Sequence, residues 1–254
     1  MKVAQYFALA LIWFDAVGAR EPLLVPDVSQ RQIEIAYSFT GAELLLFGAI
    51  IYPDGRLPAD RADIAVVLKG PARSILVREK QKLLGLIWVN AADERFSSAP
   101  EYYAIATSRP LDKLIDERTA AIYELGLGNI QLSPSGSGEP AKQKRFEAGL
   151  VQMRETSKLF VDRASTVEIT GGVLYRARLA IPARVPVGHY TAETFLISKG
   201  QIIAAATRDI EIKKSGFEQF VANSANKSPI SYGLLSIILA LFLGWGAGEI
   251  FRRI

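Results

Sequence analysis

No cysteine occurs in the 254 residues, and histidine occurs once, at His189. The first absence excludes a disulfide framework, thiol catalysis, thiolate metal sites, c-type haem attachment and lipoprotein acylation, so burial alone must hold the fold. The second leaves no two-histidine metal site and no free choice of base for a serine triad. His189 sits in a Val-Gly-His-Tyr turn and reads as a strand-edge residue. A large surplus of one charge is also missing: 30 basic residues face 26 acidic ones, and the signs alternate along the chain. The high isoelectric point therefore does not mark a nucleic-acid binder. The most basic stretch, residues 73–82, has a strand-like middle and reads as a solvated strand edge rather than an anion site.

What is present is concentrated first at two apolar ends. From Ser228 to Gly248 the chain runs 21 residues without a charge, and Arg252 and Arg253 follow. Residues 230–250 as a helix reach about 30 Å, the thickness of a bilayer's hydrocarbon core. Cationic residues just past a span mark its cytoplasmic side, so Arg252 and Arg253 put residues 251–254 in the cytoplasm and the bulk of the chain across the membrane. At the other end, Lys2 precedes an apolar run from Val3 to Phe14, and Val17-Gly18-Ala19 offers small residues for cleavage. An uncleaved anchor is the alternative; twelve helical residues reach only about 18 Å, which favours a signal peptide at 1–19 cleaved after Ala19.

Between these ends residues 20–228 carry 27 basic and 24 acidic residues, a net +3. Residues 32–37 alternate polar and apolar, 42–51 and 62–68 are continuous apolar runs, and 75–77, 84–89 and 102–106 follow as short strands. Turn chemistry separates them at Thr40-Gly41, Pro53-Asp54-Gly55 and Lys69-Gly70-Pro71. A helix is expected where Leu111, Leu114, Ile115, Arg118, Ala121, Ile122 and Leu125 keep 3-4 spacing, capped by Ser108, with Pro110 in its first turn and Gly126 at its exit. A second helix places Phe146, Leu150, Met153 and Ser157 on one face. Strands resume at 166–169, 173–181, 190–198 and 202–212. The expected fold is mainly β: an immunoglobulin-like β-sandwich in the periplasm over 20–214, with a two-helix insertion at about 109–160. A juxtamembrane linker at 215–229 and one C-terminal transmembrane helix complete it. Phe217, Phe220 and Val221 suit one turn on the bilayer surface or against the sandwich.

Sites for chemistry are sparse. Asp60 and Asp63 flank Arg61 near Asp54, but without the acidic spacing of a calcium loop. Gly126-Leu127-Gly128 is a helix exit, not a phosphate loop. Trp88 reads as core, and Tyr102 and Tyr103 point to opposite faces of a strand, which leaves one at the surface, a single side chain being poor evidence for an aromatic ligand platform. No catalytic residue, cofactor or metal ligand is expected, and no enzyme. In the span, Ser236, Ala240, Gly244 and Gly248 recur every four residues. Lipid-facing helices gain nothing from small side chains, whereas a close-packed helix partner does. These four residues are the expected helix-packing face.

The order of landmarks is itself informative. Residues 39–49 (FTGAELLLFGA) precede 63–71 (DIAVVLKGP), 85–90 (GLIWVN), 99–104 (APEYYA), 185–190 (VPVGHY) and the glycine-rich span. Over essentially its whole length the chain resembles the putative transmembrane protein family of alphaproteobacteria. The resemblance implies a single-pass inner-membrane protein with its N-terminal domain in the periplasm and its C-terminus in the cytoplasm. It also implies a permease of the sulfite-exporter type as a partner to test, beside membrane lipid and a homodimer through the span. The expected role is an interaction or accessory subunit. A periplasmic ligand- or envelope-binding module is the alternative, and a hydrolase ranks behind both.

Overall fold

The computed structural model describes residues 21–252 apart from 36–39, 54, 59, 61, 137–138, 164–165, 215–220 and 222–223. The expected signal at 1–19, together with Asp54, Arg61, Phe217, Phe220 and Arg253, lies outside the described residues. The first half holds β1 (Leu23–Val28), β2 (Gln32–Ile35), β3 (Gly41–Ile51), β4 (Asp63–Lys69), β5 (Ala72–Leu83), β6 (Ile87–Pro100) and β7 (Tyr103–Thr107). After α1 (Glu117–Ile122), β8 (Ser133–Pro134) and α2 (Pro140–Thr156) come β9 (Phe160–Arg163), β10 (Glu168–Thr170) and β11 (Leu174–Pro182). The hairpin of β12 (Gly188–Ser198) and β13 (Gln201–Lys214) precedes α3 (Pro229–Arg252).

Two sheets enclose the main core. One is ordered β1-β3-β11-β10 and the other β2-β13-β12-β4-β7-β9. Leu44, Leu46, Tyr175 and Leu179 of the first share a buried cluster with Ile64, Val66, Leu68, Tyr190 and Leu196 of the second. Period-2 geometry sends the intervening residues of β4 and β12 to the far face, where Ala65, Val67, Phe195 and Ile197 meet Leu114, Ile115, Ala120 and Leu125. That second cover explains why 63–68 lacks alternation: both faces of β4 are buried.

The same two-sided burial corrects the expectation for Tyr102 and Tyr103. They do point to opposite faces, yet both are fully buried, Tyr102 in the main core and Tyr103 beneath the helical segment. The helical segment is itself shorter than expected. Leu111–Lys113 form a single 3-10 turn, and α1 starts only at Glu117, where the Asp116 side chain accepts a hydrogen bond from the Thr119 N–H at 2.6 Å. Asp116 is the better N-cap because its carboxylate meets an orphan first-turn donor, whereas Ser108 is drawn to Asp63. Of the face expected on α2, Phe146 and Leu150 are buried, Met153 is exposed, and Ser157 is the C-cap.

The largest departure is at residues 72–100. Two short strands were expected at 75–77 and 84–89; instead β5 and β6 form one long hairpin, with Leu84, Gly85 and Leu86 in its turn. Gly85 takes φ 75° and Leu84 φ 50°, and the Leu86 N–H closes the turn on the Leu83 carbonyl at 3.1 Å. Trp88 is therefore not core: it is 61% exposed. Only the middle and base of the hairpin are covered, where Val77, Phe96 and Ala99 pack on Phe146 and Leu150 of α2. Lys142 to Glu94 at 3.4 Å and Arg145 to Glu79 at 2.9 Å pin the same helix to the arm.

The hairpin also has a defined place on the sandwich. The β4–β7 ladder runs on through Gly70 N–H to Tyr102 carbonyl at 2.8 Å and Glu101 N–H to Pro71 carbonyl at 2.9 Å, then into Ala72 opposite Pro100. It leaves at the end where Thr191 pairs with Lys69 and Gly188 with Ile212, next to the exit of β13 at Lys214. The arm and the route to α3 thus share one end of the sheet. The β12–β13 turn and the start of β4 form the other.

Candidate functional site

Two regions present themselves. The first is α3. Residues Pro229–Gly248 are the one stretch, among the described residues, that is helical, long and apolar enough to cross a membrane. Ser236, Ala240, Gly244 and Gly248 all lie exposed along it. At four-residue spacing the stripe winds about 40° per step. A Cβ at Gly244 or Gly248 would meet nothing within 4 Å, so the helix surface is open there. Leu241, Phe242, Leu243 and Trp245 of the same helix are exposed as well. The Ser236 hydroxyl donates to the Tyr232 carbonyl at 2.8 Å, so its polarity is satisfied within the helix. Arg252 ends the helix.

The second region is a cleft of about 1440 Å³ at the sandwich end opposite Lys214. It is assembled from segments far apart in sequence, around Tyr52–Asp63, Ser108–Asp116, Val167–Gly172 and Lys199–Gly200. No local motif announces it; the only signal was the acidic pair Asp60 and Asp63. The structure separates that pair. Asp63 is nearly buried and forms a fork with Arg109, with the guanidinium Nε donating at 2.9 Å and a second nitrogen to the other oxygen. Ser108 donates to the same carboxylate at 2.8 Å, and its hydroxyl accepts the Ile64 N–H at 3.2 Å. Asp60 instead meets Lys199 at 3.0 Å across the mouth. A third carboxylate, Asp116, is held below the usual carboxylate range by the Thr119 backbone N–H it accepts from. Each of these three carboxylates has a cation or a backbone partner, and a fourth in the lining, Asp112, is exposed, so the cleft offers a charged and largely ion-paired lining.

The remaining singled-out residues lie elsewhere. His189 is exposed on β12 opposite Glu211, at the Lys214 end. Gly126 takes φ 93° and opens a 3-10 turn, and its N–H donates to the Tyr103 hydroxyl at 3.0 Å. That hydroxyl donates in turn to the Glu124 carbonyl at 2.8 Å, and burial pushes the phenol's pKa well up. Lys69, which was not singled out, lies between Glu124 at 3.0 Å and Glu193 at 3.1 Å. Burial works against its charge, but the two carboxylates outweigh it and raise its pKa. This trio ties β4, β12 and the segment after α1 together as a structural clamp.

No curated protein and no solved structure matches the chain. A family profile does, over residues 23–253, and its description is "Putative transmembrane protein". The match takes in both sheets, the long hairpin and the apolar helix, and on that extent the chain belongs to this transmembrane protein family.

Proposed function

We propose that the chain is a single-pass inner-membrane protein whose β-sandwich stands in the periplasm and whose span joins a membrane partner, making it an accessory or interaction subunit and not an enzyme. The observation that carries this reading is the four-residue recurrence of small side chains at Ser236, Ala240, Gly244 and Gly248, all exposed along a helix that is otherwise rich in large apolar residues. In lipid, helices associate through close backbone approach and not through burial from water, so such a stripe has a use only against another helix. Arg252 and Arg253 after the span support a cytoplasmic C-terminus, and Val17-Gly18-Ala19 supports export with cleavage after Ala19. A permease of the sulfite-exporter type and a second copy of the chain are the two partners to test.

The immunoglobulin-like assignment rests on topology. The order β1-β3-β11-β10 matches an ABED sheet, and β13-β12-β4 within the six-stranded sheet matches GFC. Strands β7 and β9 continue that sheet beyond β4, and β2 lies parallel to β13 at the other edge. The Tyr190 hydroxyl donates to the Pro186 carbonyl at 2.6 Å, the tyrosine-corner contact at the start of the penultimate strand. In this reading the β5–β6 arm and the segment from Thr107 to Phe160 are insertions flanking the strand β7.

A second reading has its own support. The large cleft at the membrane-distal end is charged and built from loops, which suits a periplasmic ligand- or envelope-binding module. Of the carboxylates lining it, Asp60, Asp63 and Asp116 are each engaged and Asp112 is exposed, so a hydrolase would have to rest on Asp112 alone and ranks behind the binding module. A bacterial transmembrane-association reporter separates the two main readings. The isolated span should associate there if the partner is a second copy, and the full chain should co-purify with a membrane protein if it is not. Gly244→Leu with Gly248→Leu should lower whichever is seen while insertion survives. Wild-type levels in both assays would favour the binding module.

A further inference from the structure

Among the described residues, no other element packs against the tip of the β5–β6 hairpin. Leu84 is 89% and Leu86 83% exposed, and Leu83, Ile87 and Trp88 are each more than half exposed. Five large apolar side chains in six residues form a contiguous patch of the kind that soluble surfaces avoid. Their charge setting is one-sided. From Lys80 to Ala92 there are two lysines and no carboxylate. Lys82 pairs in register with Trp88, and its ammonium lies 5.3 Å from the indole centroid.

We infer that this tip inserts into the interface of the same bilayer that α3 crosses, as a second membrane contact on the sandwich side. The inference rests on α3 being the span and not on the choice of its protein partner. Composition favours lipid as the occupant. Trp settles at the headgroup level, leucine and isoleucine side chains favour the acyl boundary, and lysines lay their stems along apolar surface while their ammonium groups meet lipid phosphates. Geometry favours the same membrane. The arm continues the β4–β7 ladder beyond the sheet end at which β13 exits towards α3. Twelve residues of β5 reach about 40 Å. Only 14 residues separate Lys214 from Pro229. Residues 221 and 224–227 of this stretch are helical, so the bilayer stands at most about 40 Å away, and about 20 Å if the whole stretch is helical. An arm of that length meets the surface over most of this range. Two contacts would then fix the sandwich's tilt against the membrane, where a lone span would leave it free to swivel.

The absence of native cysteine makes the test direct. Three single-cysteine variants of the full chain, Leu84→Cys, Gln201→Cys and Phe242→Cys, are labelled with an environment-sensitive fluorophore. They are reconstituted in phosphatidylcholine–phosphatidylglycerol vesicles containing doxyl-labelled lipid. Gln201 lies at the opposite end of the sandwich, and Phe242 lies in the span. The label at 84 should be quenched several-fold more strongly than the label at 201. Adding Leu86→Asp and Trp88→Asp, both at exposed positions, should return it to the level of 201. Equal quenching at 84 and 201, with strong quenching at 242, overturns the inference and leaves the span intact. A blue-shifted label at 84 that lipid does not quench means that protein covers the tip, which also overturns it. Absence of quenching at 242 removes the span reading itself.

Discussion

Gly48 shows how little room the sandwich leaves. A Cβ there would lie 2.5 Å from the Val25 carbonyl and 2.6 Å from the Tyr175 hydroxyl, so β1 or the ring must shift. Gly48→Ala should cost about 1–3 kcal/mol, read as a lower urea midpoint of the detergent-solubilised chain. The Tyr190 hydroxyl stabilises through its bond to Pro186, and Tyr190→Phe should lower stability by about 1 kcal/mol without changing secondary structure. Tyr102, Tyr103 and Tyr190 share a pH consequence. Burial raises all three phenol pKa values above the unfolded value of 10.0. Their neutral forms therefore stabilise fully below that value, and the contribution is lost as pH rises past it and the unfolded chain alone ionises. The urea midpoint should fall above about pH 10. Tyr103→Phe should be less stable at neutral pH and show a shallower alkaline fall. An alkaline fall as steep as wild type would contradict this assignment.

At the scale of elements, legibility in the sequence followed burial. Strands with a buried face and a clear turn, such as β3, β4, β12 and β13, stand where periodicity and glycine placed them. The hairpin misled because residues 83–89 (LLGLIWV) are an apolar run, and an apolar run reads as core unless a membrane or partner is its solvent. The helix expected from Leu111 broke because the 3-4 spacing of Leu111, Leu114 and Ile115 serves a 3-10 turn over the sheet as well as an α-helix. The distal cleft was illegible since its four segments meet only in the fold. Truncation tests the element boundaries. A chain ending after Lys214 keeps every described strand and should melt cooperatively in water by circular dichroism. One ending before Ile202 loses β13, exposes the edge of β12, and should aggregate. Cooperative melting of the shorter chain would place the boundary elsewhere.

For the whole molecule, one end of the sandwich carries both the apolar arm and the exit to α3, and the other carries the charged cleft. Such polarity suits a protein that is held at a membrane and faces away from it. The location is checked on spheroplasts with an impermeant maleimide, which should label Gln201→Cys before lysis and Arg252→Cys only after it. Ile237 and Ile238 on α3 provide the control for the role, since leucine there changes little bulk. The decisive measurement is chemical cross-linking of the full chain in native membranes, followed by affinity purification and mass spectrometry. Wild type and Ile237→Leu with Ile238→Leu should yield the same discrete adduct, either with a second copy or with one membrane protein, and Gly244→Leu with Gly248→Leu should lose it. Retention of that adduct at the wild-type level by the Gly244→Leu and Gly248→Leu chain would show that the stripe is only compositional, and the accessory-subunit reading would fall.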